Sequence, residues 1–353
     1  MTYRWLLPLV FLGALTLFTA CEMNDDEPAK SSAISRLYVS YSDYQFDINK
    51  PKIYNVSIVS NADSSDFGLL KLDFLSPAAG GSAIYFHPGA QTVFQSSLNR
   101  TERDSTVYSM YVGQTGQLTN RGKIIYERMV SPRGLVFHPF LDKLYVVQML
   151  DGTPSVLVYD RPRGIDRQII PSQIFEFAGS KLYFDATIVN SNLILSRQGA
   201  NGGLDIFEKL ISARDIALNN IQPTRSLTVT GANNIQGVSI DTVNNVLAMT
   251  DYTTPTSGDP VGRILIFENF SEISKASGTI TPTRIITGAN TKLKGPTDVD
   301  LDFRQDSKYL YVADPVSKAV YRFDKNAEGD VAPNATFERS GLSPISLSLD
   351  ARN

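Results

Sequence analysis

The chain has 353 residues, of which 42% are hydrophobic and 20% are charged, and its formal net charge is −3. This is the balance of an ordinary globular protein with enough apolar material for a core. Because the net charge is near neutral, the composition argues against nucleic acid as a binding partner. The lysines and arginines are scattered, so the chain has no polybasic patch that would bind a membrane surface.

Residues 1–20 have the pattern of a bacterial secretory leader. A single cation near the N-terminus precedes an apolar run over 6–18, which is short for a membrane-spanning helix and fits the core of a signal peptide. The end of the leader, Thr19-Ala20-Cys21, resembles the lipobox of bacterial lipoproteins, although Phe18 stands where that pattern prefers leucine. The resemblance implies that Cys21 is acylated and anchors the domain to a lipid bilayer without spanning it. The alternative is an ordinary signal peptide with a chance cysteine.

The segment after the cysteine is acidic and has no periodicity, which predicts a flexible tether. Its acidic run over 22–27 resembles the surface-export signal of some Gram-negative lipoproteins. A solvated tether that no export machinery recognises explains the run equally well. The sequence therefore predicts a leader over 1–20, a lipidated cysteine and tether over 21–34, and one folded domain over 35–353. The predicted location is the outer membrane, on its periplasmic face or at the cell surface.

The folded part is a succession of short apolar or alternating runs bounded by Gly, Pro, Asn and Asp, which indicates strands. Three segments share one register, Pro132–His138, Pro296–Asp302 and Pro344–Asp350, and each has a polar residue six positions after the proline. A second strand follows the first two segments, but the chain ends at Asn353 before the third acquires one. The missing strand stands at the other end, as Leu37–Ser40. A repeat divided in this way predicts a ring closed by pairing its two ends.

The repeats recur about every fifty residues, which suits blades of four strands. The predicted fold class is therefore all-β, a six-bladed β-propeller whose sixth blade is built from the N- and C-terminal segments. Insertions between third and outer strands are predicted at Lys209–Asn220, with a short helix, and at Asn269–Gly278, and one outer strand is predicted at Lys123–Met129. The inner strands are predicted to begin near Ser82, Arg133, Asp185, Gln236, Thr297 and Ile345.

One repeat, built from Pro296–Asp302, Leu310–Asp314 and Val320–Asp324, resembles an NHL repeat. The tags Pro223-Thr224-Arg225 and Pro282-Thr283-Arg284, which open outer strands, are similar to those of bacterial NHL-like propellers. The resemblance is good over the fourth and fifth blades and weak over the first three. It implies the fold and leaves the function open, because propellers of this type host unrelated activities.

The two histidines, His87 and His138, both occur in Phe-His-Pro at the end of an inner strand, in the repeat column of Asp241, Asp302 and Asp350. A polar residue that recurs at a turn is predicted to cap backbone N–H groups there. Two such histidines in adjacent blades do not make a zinc site. The sequence also contains no nucleophile elbow, P-loop or His-Glu-x-x-His motif.

The opposite face, where inner strands begin and second strands end, is the predicted binding face because its loops surround the channel mouth. The long loop Asp251–Gly262 is a second candidate there, unless it is an inert insertion. Asp251 and Asp314 have a structural alternative, in which each carboxylate holds backbone N–H groups or a neighbouring arginine. The candidate ligand-binding residues are Arg133, Gln148, Asp185, Arg197, Gln236, Asp251 and Asp314.

Two functions are compatible with these patterns. The favoured one is a membrane-anchored binding or scaffold protein, monomeric and without a cofactor, that presents its face to a glycan, a peptide or an envelope protein. The alternative is a metal-dependent lactonase- or lyase-type enzyme, since six-bladed relatives of that type hold a divalent cation in the channel. Calcium would then be held by hard oxygen ligands such as Asp185, Gln236, Asp251 and Asp314. A plain spacer or assembly platform stays open as well.

Overall fold

The computed structural model describes residues 33–98, 105–130 and 132–353. Ile34–Arg352 forms one compact unit, and its strands form six sheets. The predicted all-β, six-bladed propeller is thereby confirmed. The leader, Cys21 and nearly all of the predicted tether lie outside the described residues.

The strands follow one another around the ring. The first three, which belong to the sixth blade, are β1 (Ile34–Tyr41), β2 (Val56–Ser60) and β3 (Lys71–Phe74). Next come β4 (Gly81–His87), β5 (Thr92–Ser97), β6 (Thr106–Val112), β7 (Leu118–Ile125), β8 (Gly134–His138), β9 (Lys143–Leu150), β10 (Thr153–Asp160), β11 (Asp166–Gln168) and β12 (Gln173–Phe177). They are followed by β13 (Tyr183–Val189), β14 (Asn192–Arg197), β15 (Gly203–Phe207), β16 (Ala217–Ile221), β17 (Arg225–Val229), β18 (Val238–Asp241), β19 (Val246–Thr253) and β20 (Val261–Glu268). The last are β21 (Gly278–Ile280), β22 (Arg284–Thr287), β23 (Asp298–Leu301), β24 (Tyr309–Asp314), β25 (Ala319–Asp324), β26 (Ala335–Glu338) and β27 (Pro344–Arg352).

Each blade has four antiparallel strands, ordered from the channel outwards. Blade 1 is β4-β5-β6-β7, blade 2 is β8-β9-β10-β12 and blade 3 is β13-β14-β15-β17. Blade 4 is β18-β19-β20-β22, and blade 5 is β23-β24-β25-β26. Blade 6 is β27-β1-β2-β3, so its inner strand comes from the C-terminus and its other strands from the N-terminus.

The closure of the ring is the pairing of β27 with β1. The register runs antiparallel from Ile34 opposite Arg352 to Tyr41 opposite Pro344. This pairing removes two free strand edges, which would otherwise be templates for aggregation. The predicted joining of the two termini in one blade is confirmed.

Three blades carry a fifth, outermost strand that the sequence did not reveal. The connection between the third and outer strands of one blade reaches back and pairs in parallel with the outer strand of the blade before it: β11 with β7, β16 with β12, and β21 with β17. The helix predicted within Lys209–Asn220 is therefore reduced to a single 3₁₀ turn at Leu210–Ser212, after which β16 begins. The free backbone groups of an outer strand favour such pairing over a helix.

The outer strand of blade 1 lies earlier than predicted. A tight turn over 113–117 follows β6, so that β7 covers Leu118–Ile125 rather than Lys123–Met129. Met129 is fully buried as a core residue beyond the strand. Its apolar side chain accounts for the error, because it extended the apparent strand pattern.

Helical structure is sparse in the described part of the chain. One α-helix, α1 (Phe270–Ile273), follows β20, and none of the described helices is long and apolar enough to cross a membrane. The remaining helical turns are of the 3₁₀ type, at Pro88–Ala90, Pro162–Gly164, Leu210–Ser212 and Ala289–Thr291.

The core consists of a buried apolar cluster at each interface between neighbouring blades. Aromatic rings join adjacent blades, as in Phe94 with Phe137, whose ring centroids are 5.6 Å apart. Across the closing interface, Tyr38 of blade 6 stacks on Phe86 of blade 1 with centroids 5.2 Å apart. Because strand side chains alternate, each blade packs against both of its neighbours.

Candidate ligand-binding channel and faces

Asp314, at the end of β24, holds the loop that enters its own blade. Its carboxylate accepts backbone N–H groups from Lys294 (2.7 Å) and Gly295 (3.0 Å) before the inner strand. It also accepts those of Val316 and Ser317 in the next turn, both at 3.0 Å. The structural alternative for this carboxylate is confirmed.

Asp251 and Gln148 occupy the same place in blades 4 and 2. Asp251 accepts the backbone N–H of Asn233 (3.2 Å) and the Nε–H of Arg263 (2.9 Å). The Oε1 of Gln148 accepts the backbone N–H of Val130 (3.0 Å). Side chains at second-strand ends therefore fasten the entry loop of each of these blades, and little of either group is left for a ligand.

Arg197, the corresponding residue of blade 3, is committed inside the protein. It is only 8% exposed, and its guanidinium donates to the carboxylate of Asp205 and to the Asn201 carbonyl (3.0 Å). It also donates to the Leu227 carbonyl (3.3 Å) and to Oγ1 of Thr228 (3.1 Å). These hydrogen bonds connect Arg197 to the turn that follows β14, to β15 and to β17, and so hold this face of blade 3 together.

Arg133 and Gln236 are less occupied. The guanidinium of Arg133 lies over the ring of Phe184, 5.8 Å from its centroid, at a small cavity beside the channel. Gln236 is buried and its Nε2 donates a 3.4 Å hydrogen bond to Oη of Tyr252, while its Oε1 has no partner among the described residues. Of the predicted face residues, these two retain the most capacity for a ligand.

The inner strands surround a cavity of about 310 Å³ along the ring axis. Its lining includes four aspartates: Asp350 of blade 6, whose carboxylate pairs with Arg36 and Arg352, and three without an arginine partner among the described residues, Asp185 of blade 3 and Asp298 and Asp300 of blade 5. The structure thus places Asp185, a predicted site residue, in the channel together with two residues that sequence reasoning did not select. The sequence pattern that could have identified these two residues is the alternation Asp298-Val299-Asp300, because side chains two positions apart on a strand point to the same face.

Each of these carboxylates is also a bond between blades. Asp185 accepts the backbone N–H of Val238 in blade 4 (3.1 Å). Asp298 and Asp300 accept those of Leu347 (2.9 Å) and Leu349 (2.8 Å) in blade 6. Such bonds satisfy N–H groups that the inner edge of each sheet would leave unpaired. Serine hydroxyls act in the same way, with Ser346 and Ser348 accepting the N–H groups of Ile84 and Phe86.

Enclosure within the ring raises the pKa of the carboxyls of Asp185, Asp298 and Asp300, because burial disfavours the charged form. Burial raises the pKa of Asp298 to about 6 and that of Asp300 to about 7. The pKa of Asp185 lies well above its ordinary range, owing first to burial and then to the nearby charge of Asp298. Part of each side chain borders the cavity, so a ligand entering the channel reaches groups whose protonation is poised near neutral pH.

The turn positions on the other face are largely caps, as predicted. Nδ1 of His138 accepts the backbone N–H of Leu141 (3.2 Å), and Asp241 accepts that of Val243 (2.9 Å). His87 differs, because its Nδ1 has no partner in the described part of the chain and its ring borders the channel cavity. Burial, with a smaller contribution from the charge of Arg163, lowers the pKa of His87.

The long loop after Asp251 is an extended hairpin. β19 and β20 stay paired as far as Thr253 opposite Val261, so only residues 254–260 form the loop itself. It is exposed, and Asp259 pairs with Nζ of Lys294 at 2.7 Å.

The residues predicted to hold calcium are distributed over two places. Asp185 borders the channel, whereas Asp251 and Asp314 bind backbone N–H groups at second-strand ends. Among the residues that the structure describes, no group of three or more His, Cys, Asp or Glu side chains is close enough to hold a metal ion. The channel carboxyls without an arginine partner among the described residues are Asp185, Asp298 and Asp300, and Asp350, which also lines the cavity, is paired with Arg36 and Arg352.

Comparison with known proteins supports the fold. No protein-family model matches the chain, and no curated protein matches it. Among solved structures, the chain is similar to the periplasmic gluconolactonase PpgL of Pseudomonas aeruginosa, with 12% identity, a TM-score of 0.55, and coverage of 91% of this chain and 99% of that one. It is also similar to a protein from Lactobacillus plantarum, with 11% identity, a TM-score of 0.53, and coverage of 90% and 99%. At such identities the likeness shows the propeller fold alone.

Proposed function

We propose that this chain is a lipid-anchored binding protein of the bacterial cell envelope, and that its propeller receives a cationic group of a glycan, peptide or protein partner in the central channel. The observation that carries the proposal is the set of three enclosed carboxyls, those of Asp185, Asp298 and Asp300, that border a cavity of about 310 Å³ without an arginine partner among the described residues. That volume lies within the range of small-ligand sites.

The raised pKa values supply a physical reason for binding a cation. Below about pH 6 the channel holds protons on Asp298 and Asp300 because their charges are poorly solvated. An ammonium group or a metal ion neutralises those charges and displaces the protons. Affinity is therefore expected to rise between about pH 5 and pH 8, and binding releases protons.

Calorimetric titration of residues 33–353 tests this proposal, since the compact unit Ile34–Arg352 contains the whole ring. The probes are glucosamine, lysine amide and calcium, each at pH 5.5 and pH 8. We expect at least one probe to bind more tightly at pH 8, and the Asp298→Asn, Asp300→Asn double variant to abolish the difference. The exposed Asp306→Asn variant is the matched control. If no probe binds at either pH, the channel is not a cation site.

A metal-dependent enzyme is the second candidate, favoured by the same three carboxyls because carboxylate oxygens suit calcium. Held there, the ion would supply Lewis-acid chemistry, with Asp185, Asp298 or Asp300 each able to offer an oxygen ligand and substrate or solvent completing the set, because the three carboxyls are not grouped closely enough to hold it together. A melting temperature that rises with calcium, falls with EDTA and loses this response in Asp185→Ala would favour this candidate. Hydrolysis of an aldonolactone by the calcium-loaded protein would then establish it, whereas a response to amines alone would reject it.

The anchor is proposed from the leader and is tested separately. Metabolic labelling with a fatty-acid analogue and membrane fractionation are expected to place the full-length chain in the outer membrane. Cys21→Ala should lose both the label and the membrane association. A labelled Cys21→Ala variant, or an unlabelled parent chain, would contradict acylation at this residue.

A further inference from the structure

A second pocket lies away from the channel, over blade 3 on the face where inner strands begin. It is open, with a volume of about 690 Å³. The turn over 198–202, between β14 and β15, forms one side of it, and the segment before β13 forms another. Its polar lining residues are Ser180, Lys181, Arg197, Gln198, Asn201, Ser226 and Asn234.

The pocket has an excess positive charge. Behind its lining residues lies the fully buried carboxylate of Asp205, one oxygen of which accepts from Arg197 and from Oγ of Ser226 (2.7 Å). The other oxygen accepts from Nζ of Lys181 (2.8 Å) and from Oη of Tyr183 (2.6 Å). Two cations thus face one carboxylate, which leaves a net charge of one positive unit.

Lys181 is the accessible part of that charge. Its side chain is 32% exposed, against 9% for Arg197. The ammonium group has three N–H donors, and Asp205 takes one of them. Because the hydrogen-bonding capacity of Asp205 is filled by its four partners, the remaining donors of Lys181 are directed to whatever occupies the pocket.

Side-chain amides surround the ammonium group. The amides of Gln198 and Asn201 have no hydrogen-bond partner among the residues that the structure describes, and both line the pocket. The Nδ2 of Asn234 donates to the Tyr252 carbonyl (3.1 Å), which leaves its Oδ1 as an acceptor. Each free amide offers both a donor and acceptors, a combination that suits hydroxyl groups.

The turn that carries Asn201 is held in place from below. Nε of Arg197 donates to the Asn201 carbonyl (3.0 Å), and the backbone N–H of Gly202 donates to the Gly199 carbonyl (2.8 Å). Gly199 has a φ of +98°, a conformation that glycine adopts without strain. The amide of Asn201 is therefore presented on a fixed support, which lowers the entropic cost of binding.

We infer that this pocket binds a sugar acid, with its carboxylate at Lys181 and its hydroxyls at Gln198, Asn201 and Asn234. A neutral sugar leaves the net positive charge of the group formed by Lys181, Arg197 and Asp205 unbalanced, and a simple carboxylate leaves the amides unused. An apolar ligand is disfavoured because the lining offers it little beyond Leu182 and Ala200. The inference stands apart from the channel proposal, since the two sites share no lining residue.

Calorimetric titration of residues 33–353 with D-glucuronate, D-glucose and acetate tests the inference. We expect glucuronate to bind at least about tenfold more tightly than glucose or acetate, a difference of about 1.4 kcal/mol. Lys181→Met should weaken glucuronate binding at least about tenfold, and Lys275→Met, which removes an exposed lysine that does not line this pocket, should leave it unchanged.

Asn201→Ala keeps the test independent of folding, because that exposed side chain supports no other described residue. It should weaken glucuronate binding several-fold with an unchanged melting temperature. The Asp298→Asn, Asp300→Asn double variant should bind glucuronate as the parent does, which separates this site from the channel. Absence of glucuronate binding, equal binding of glucose, or indifference to both Lys181→Met and Asn201→Ala would overturn the inference.

Discussion

A single buried carboxyl in this ring both joins neighbouring blades and has a raised pKa. Asp300 accepts the N–H of Leu349 and the hydroxyl of Ser239, and so joins blade 5 to blades 6 and 4. The same enclosure raises its pKa to about 7. A residue that joins the blades therefore also makes the ring sensitive to pH, because its charged form is the less stable one in the folded state.

The first prediction concerns the pH dependence of stability. The folded pKa of Asp300, about 7, exceeds the unfolded value of 3.8, so its stabilising contribution is complete below about pH 4 and is lost as the pH rises through about 7. Urea unfolding of the parent should show this loss. Asp300→Asn should reduce it by on the order of 2 kcal/mol, after discounting for the side of the carboxyl that borders the cavity.

The control is Asp306→Asn, which removes an exposed charge and should keep the parent's pH profile. Identical profiles for Asp300→Asn and the parent would show that Asp300 ionises normally in the folded ring.

The second prediction concerns Asp314. Asp314→Ala leaves four backbone N–H groups without their acceptor, and should lower the free energy of unfolding by on the order of 3 kcal/mol. Asp324→Ala, at an exposed carboxylate that accepts one N–H from Asn326, should cost less than about 1 kcal/mol. Equal losses in denaturant unfolding would contradict the proposed fastening of the entry loop.

At the scale of elements, the connections between third and outer strands contribute more than linkage. In blades 2, 3 and 4 they supply β11, β16 and β21, each paired with the outer strand of the preceding blade. Outer edges that would invite association are covered in this way, and neighbouring blades become joined at their rims as well as at the channel. The hairpin loop of blade 4 differs from these connections, because its tip is exposed and covers no strand edge.

The third prediction follows from that exposure. Replacing residues 254–260 by Asn-Gly keeps the last pair, Thr253 opposite Val261, and provides a turn suited to a two-residue hairpin. The surface ion pair between Asp259 and Lys294 is lost at little cost, since exposed pairs contribute about 0–1 kcal/mol. The melting temperature should therefore change by no more than about 3 °C. A much larger decrease in a thermal melt would show that the loop is part of the folded core.

At the scale of the whole molecule, the ring depends on one strand that is last in the sequence. β27 pairs with β1 and also supplies Ser346 and Ser348, which accept N–H groups from blade 1. Removing β27 would therefore break both its pairing with β1 inside blade 6 and its hydrogen bonds to blade 1. The ring ends near where it begins, because Arg352 lies opposite Ile34.

The fourth prediction uses this geometry. Deletion of residues 344–353 should abolish the cooperative thermal transition, because the buried faces of blades 5, 6 and 1 lose their partner strand. A circular permutant with 344–352, an Asn-Gly turn and then 34–343 restores the same pairing and should melt close to the parent. A deletion variant that melts like the parent would reject closure by β27, and a permutant that does not fold would show that chain order matters as well as pairing.

The sequence by itself determined the fold class, the number of blades and the joining of the termini, because a repeat imprints its register on every blade and its displaced part marks the closure. It also identified the turn caps and the structural alternative for Asp251 and Asp314, since these recur in one repeat column. Only the tertiary structure decided which side chains share a site. Asp185 meets Asp298 and Asp300 across the channel although they are more than 100 residues apart. Lys181, Asn201 and Asn234 surround one pocket although no motif links them. Convergence of this kind depends on how the blades are placed around the axis, and local periodicity carries no information about it.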